Sequence, residues 1–199
     1  MTDRPDPLLQ VLHTVRTLGY ADVPRIAARA GLPEDSTAEH LADLQAEGAV
    51  TRSAFAGDSG WSLTEAGKAH GEHLLAQELD ARGARSAVEA CYRDFLPLND
   101  VVARACSDWQ LAELGIGGKP VSLEETVAEL RRAADAWESI EARLVREADR
   151  FAGYSDRFSS ALAHAEHDPR WITGTDLDSA HRVWFELHED LIATLGLTR

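Results

Sequence analysis

The sequence predicts a mainly α-helical protein in two parts: three helices and a short β-hairpin leading into a longer helix over residues 1–82, then an all-α domain over 83–199. Three observations predict this. Apolar residues recur at helical spacing along most of the chain. A glycine (Gly19, Gly31, Gly48) closes each of the first three helical patterns, as a residue that tolerates the left-handed conformation does at a helix end. Only between Ala49 and Leu63 does the period change from helical to extended.

Taken in order, residues 8–18 put Leu8, Val11, Leu12, Val15 and Leu18 on one face, and Gly19 ends that helix. Asp22 caps a second helix, DVPRIAARAG, with Val23, Ile26, Ala27 and Ala30 inward. After Leu32-Pro33 a third helix runs from about Glu34 to Glu47, with Ala38, Leu41, Leu44 and also Ala42 as its inward positions. Residues 49–52 read as a strand, 55–60 as a turn and 61–63 as the returning strand, after which Thr64 caps a long helix. Beyond Gly83 the expected helices are 84–94, 97–113, 122–151, 154–166 and 176–196. The expected breaks are Pro97, Gly115–Pro120, Gly153 and Asp168-Pro169, and Ser122 with Glu125 forms a capping box.

The composition is that of a soluble globular chain, 44% hydrophobic and 27% charged. No apolar run approaches a membrane span, and MTDRPDPLLQ has no signal-peptide pattern, so a cytoplasmic location is expected. Cys91 and Cys106 lack metal-ligand spacing. The net charge of −14 opposes nucleic-acid binding in bulk. Residues 1–70 hold six Lys or Arg against ten Asp or Glu, net −4, and residues 71–199 hold fourteen against twenty-four, net −10. A DNA-binding face must therefore be a local concentration of cations.

Three pieces between Leu8 and Leu79 carry a family resemblance: IAARAGLPEDSTAEHLADLQAEGAV, then Val50-Thr51-Arg52, then Trp61-Ser62-Leu63-Thr64-Glu65-Ala66-Gly67. In this order and spacing the stretch resembles the winged helix-turn-helix regulators of the MarR type, over a little more than a third of the chain. The resemblance implies a third helix in the major groove of an operator and a hairpin, the wing, on the DNA backbone. Carried onto this sequence, it implies that Ser36, Thr37 and His40 face outward from the third helix. Arg52 then stands at the wing base, and Arg25 and Arg29 on the second helix reach phosphates. It also implies a homodimer on a palindromic double-stranded DNA operator. Two departures stand out. Glu34, Asp35, Glu39 and Asp43 share the outward face with no Lys or Arg between Arg29 and Arg52, and the wing tip 54–60 lacks an arginine.

The helical part is rich in aromatics. Tyr92, Trp109, Trp137, Trp184 and His188 are candidates to line a pocket for a small apolar effector, although aromatics in a bundle more often form its core. His70 and His73 are three apart with Glu72 and Glu78 nearby, but no third metal ligand is spaced for them and they read as a solvated face. His181, Trp184 and His188 share one side of the last helix, and His164 and His167 sit with Glu166 near a helix end. Gly115–Pro120 lacks the Ser or Thr of a phosphate loop and reads as a connector. Arg131, Arg132, Arg143, Arg146 and Arg150 with Glu129, Glu138, Glu141 and Glu147 read as a solvated helix with i,i+4 pairs. No nucleophile–base motif is present, so no enzyme and no cofactor are expected. The leading expectation is a dimeric, ligand-responsive transcriptional regulator. The alternative is a winged helix that has lost DNA binding and serves protein contact or ligand capture.

Overall fold

The computed structural model describes residues 6–55, 58–116 and 121–197. Over these residues the protein is mainly helical, with one two-stranded antiparallel sheet. The chain divides into two compact units, Met1–Ala81 with Ile192–Arg199, and Arg82–Leu191. Among the described residues no helix is long and apolar enough to cross a membrane.

The first unit runs α1 (Pro7–Leu18), α2 (Val23–Ala30), α3 (Glu34–Ala46), β1 (Val50–Phe55), β2 (Asp58–Leu63) and α4 (Glu65–Arg82). The first two helices start on local caps. Asp6 accepts the Leu8 N–H at 3.0 Å with Pro7 at the first helical position, and Asp22 accepts the Arg25 N–H at 3.1 Å. Gly31 ends α2 at φ 66°, in the left-handed region, and donates its N–H to the Ala27 carbonyl. The core is Val11, Leu12, Val15, Leu18, Ile26, Leu41, Leu44, Ala49, Val50 and Trp61 with Ala21. The strands pair from Val50 opposite Leu63 out to Phe55 opposite Asp58, longer than the predicted strands. Residues 56 and 57, within the expected turn, lie outside the described residues. Ala21 adds a bridge to the hairpin, exchanging both backbone hydrogen bonds with Trp61 at 3.2 and 2.8 Å.

The inward face of α3 differs from expectation. Thr37, Leu41 and Leu44 are buried, whereas Ala38 and Ala42 are exposed. Leu41 and Leu44 set the face, and the residue one turn earlier on it is 37. A threonine tolerates that burial because its hydroxyl donates to the Pro33 carbonyl at 3.0 Å.

The second unit contains α5 (Arg85–Glu113), α6 (Leu123–Val145), a 3₁₀ turn (Asp149–Phe151), α7 (Tyr154–Ala165), α8 (Arg170–Thr173) and most of α9 (Ala180–Leu195). Pro97 does not break α5, contrary to expectation. A helix-interior proline removes one N–H bond and crowds the carbonyl four residues back. Here both Pro97 and Arg93 are on the exposed side, and buried Cys91, Phe95, Val102, Cys106 and Trp109 hold the turns before and after in line. The predicted single helix 122–151 ends at Val145 instead, because Ala148 is extended and turns Phe151 fully inward. Ser122 caps α6, its hydroxyl accepting the Glu125 N–H at 3.1 Å. At the expected break, Pro169 initiates the short α8, with Asp168 accepting the Arg170 N–H at 3.1 Å. Residues 117–120 of the expected connector lie outside the described residues.

Candidate nucleic-acid interface

The surface the sequence singles out is built by α2, α3 and the hairpin. Ser36 and His40 are half-buried on α3. Thr37 is a correction: it is 0% exposed, and its hydroxyl is committed to Pro33, so it does not face outward. The exposed residues of α3 are Glu34, Asp35, Ala38, Glu39, Ala42, Asp43, Gln45 and Ala46, with exposed Glu47 at its C-cap. Removing Thr37 from the outward face makes it more acidic in character than the sequence suggested.

Arg52 is exposed on β1. It donates to the Ser59 hydroxyl at 3.2 Å, and its guanidinium lies 5.9 Å from the Trp61 ring centroid. Arg25 and Arg29 are half-buried on α2 and already engaged within the protein. The cations that could meet a phosphate therefore flank α3 rather than sit on it.

The joint behind the hairpin explains the Leu63-Thr64-x-x-Gly67 sequence physically. The Thr64 hydroxyl accepts the Gly67 N–H at 3.0 Å, capping α4, and donates to the Gly48 carbonyl at 2.7 Å. A Cβ on Gly67 would stand 1.9 Å from the Ala49 carbonyl oxygen, so only glycine lets the helix start so close to β1. Tyr20, which sequence reasoning missed, lies over the hairpin: a Cβ on Gly60 would fall 2.5 Å from its Cζ.

Of the proposed effector residues, the fold brings four together. His188 stacks on Tyr92 at 6.2 Å between centroids and lies 5.2 Å from Phe95. Trp184 lies 5.2 Å from Phe95, 6.1 Å from Trp137 and 5.1 Å from Phe158. Trp184 Nε1 donates to Asn99 Oδ1 at 3.1 Å. Phe95 and Phe158 complete the cluster; Phe95, which meets Tyr92, Trp137, Trp184 and His188, is fully buried, as is Trp137. At these separations the rings pack against one another as a core does. Trp109 is buried on α5 but is not among the rings in contact with the cluster in the described residues.

The charges of α6 do not form a merely solvated stripe. Glu141 is buried and accepts the N–H groups of Tyr154 at 2.8 Å and Ser155 at 2.9 Å, capping α7 from another helix. Arg143 pairs with Asp94 of α5 at 2.5 Å, and Arg131 with Glu166 beyond α7 at 2.6 Å. Asp190, also buried, receives the Tyr154 hydroxyl at 3.1 Å and lies 3.7 Å from Arg150, while Arg157 binds Glu186 at 2.6 Å. These pairings were not legible because they join elements distant in sequence.

Histidines and cysteines take ordinary positions. His70 and His73 are exposed, with His73 3.0 Å from Gln77 Nε2. His164 stacks on Trp171 at 4.4 Å. Burial lowers the His181 pKa, raises that of the Cys91 thiol, and pushes the Cys106 thiol up to about 12. No group of three or more metal-capable side chains gathers among the described residues. No family model, curated protein or solved structure matches the chain.

Proposed function

We propose that the first unit is a winged helix domain and that the protein is a homodimeric, DNA-binding transcriptional regulator. The observation that carries this reading is the order α1, Ala21 bridge, α2, α3, hairpin, α4, closed by the Thr64–Gly67 joint. In such a domain α3 approaches the major groove and the hairpin the phosphate backbone. Ser36 and His40 are then the α3 side chains with polar groups for DNA, and Arg52, Arg25 and Arg29 supply the phosphate contacts. An apolar effector, on this reading, enters among Tyr92, Trp137, Trp184 and His188 only by displacing packed rings.

The test is a binding titration of the full chain with a fragment of its own promoter region, repeated across salt concentrations. The reading predicts a footprint of two half-sites and a log–log salt slope of about −0.9 per phosphate neutralised. Absence of any shift at low salt overturns it.

A second reading is favoured by one specific observation, the exposed carboxylates of α3. Here the same domain docks a basic protein surface through α3 and DNA is not its partner. Neutralising Glu34, Asp35, Glu39 and Asp43 to their amides separates the two: DNA affinity rises on the first reading, while partner binding is lost on the second.

A further inference from the structure

Tyr20 is 44% exposed, an unusual position for a large ring, yet it is tightly held. It follows Gly19, whose φ of 73° turns the chain out of α1, and precedes Ala21, whose N–H and carbonyl both bond Trp61. Side chains alternate across a strand. Ala21 and Trp61 point into the core, so Tyr20 falls on the opposite face of the hairpin. There its ring lies flat over Gly60: a Cβ on that glycine would stand 2.5, 2.8 and 2.8 Å from three ring carbons. Its hydroxyl reaches the Ser53 carbonyl at 3.4 Å, and Ser53 is the register partner of Gly60. One side chain from the α1–α2 connection thus spans both strands.

We propose that Tyr20 is the positioning residue that fixes the hairpin against the helices, with Gly60 as its seat, and that it thereby presents Arg52 to the DNA backbone. An isolated two-stranded hairpin is marginal in water. This one is paired at the edge of β2 by the Ala21 bridge, anchored in the core by Trp61 on one face and covered by the Tyr20 ring on the other. Losing the ring leaves its orientation to the bridge and to the core packing of Trp61. The DNA part of the inference rests on the regulator reading; the clamp does not.

The experiment uses the full chain with Tyr20→Ala, Tyr20→Phe, Gly60→Ala and Arg52→Ala, read by residue-resolved amide exchange without DNA and by promoter-fragment binding across salt. Tyr20→Ala and Gly60→Ala are expected to speed exchange at the Ala21, Trp61 and strand amides about tenfold, while α1 and α3 core amides keep their protection. Tyr20→Phe keeps both the ring and the protection. With DNA, Tyr20→Ala flattens the salt slope by about one, as Arg52→Ala does, and the double variant loses no more than either alone. Unchanged hairpin exchange in Tyr20→Ala overturns the clamp. Additive losses from Tyr20→Ala and Arg52→Ala overturn the presentation of Arg52. If the unmodified chain binds no DNA, the regulator reading falls, and amide exchange decides the clamp by itself.

Discussion

Gly67 has a hydrogen where any other residue has a Cβ, and that carbon would meet the Ala49 carbonyl oxygen at 1.9 Å. Gly67→Ala must push α4 away from β1, a distortion of the overpacking kind that costs about 1–3 kcal/mol. Urea unfolding followed by circular dichroism checks it. Thr37 makes the opposite point. Its buried hydroxyl serves the backbone, so Thr37→Val costs about 1 kcal/mol of stability and, on the proposed regulator reading, leaves the salt slope of promoter-fragment binding unchanged. His181 supplies a pH dependence with a definite sign. Burial holds its folded pKa below the ordinary 6.5, so the unfolded chain takes up its proton first on acidification. Its contribution is complete above pH 6.5 and is lost as pH falls through the lowered folded value. His181→Gln flattens the stability profile in that window, measured as unfolding midpoint against pH.

At the scale of elements, helix ends in this protein are satisfied locally in some cases and from a distance in others. Asp22 and Ser122 cap their own helices within three residues, and both were legible as sequence patterns. Glu141 caps α7 from thirteen residues away, and its burial follows from that task. Glu141→Gln replaces one accepting oxygen by a donor facing an N–H, and is expected to destabilise by about 1–3 kcal/mol, seen as a lower thermal midpoint. Pro97 tests the continuity of α5. Because the helix runs through it, Pro97→Ala restores a hydrogen bond and is expected to stabilise by about 1–3 kcal/mol, at the low end if the buried neighbours already hold the turns. A lowered midpoint contradicts the continuous helix.

At the scale of the whole molecule, charge governs the functional reading. With a net charge of −14, bulk electrostatics repel nucleic acid, and only a focused set of cations can oppose that. The proposed interface has its arginines around an acidic α3. Replacing Glu34, Asp35, Glu39 and Asp43 by amides is therefore expected to raise affinity for the promoter fragment about tenfold or more at low salt, with the gain shrinking as salt rises. Equal affinities before and after would mean that α3 does not approach DNA. Within the second unit, little of the aromatic cluster's arrangement is local. Tyr92 and Phe95 come from α5, Trp137 from α6, Phe158 from α7, and Trp184 and His188 from α9.

The sequence by itself determined what depends on neighbours along the chain. Gly19 and Gly31 stop helices, Asp22 and Thr64 start them, and the alternation after Ala49 marks the hairpin, because caps, turns and periodicity act within four residues or so. Tertiary structure decided what depends on partners remote in sequence. It turned Thr37 inward beneath α3, buried Glu141 to receive α7, carried α5 past Pro97, laid Tyr20 across Gly60, and gathered four of the five proposed effector residues into a packed core without Trp109. Spacing indicates which residues can share a face. Which of them meets solvent, and which meets another element, is fixed only when the elements pack.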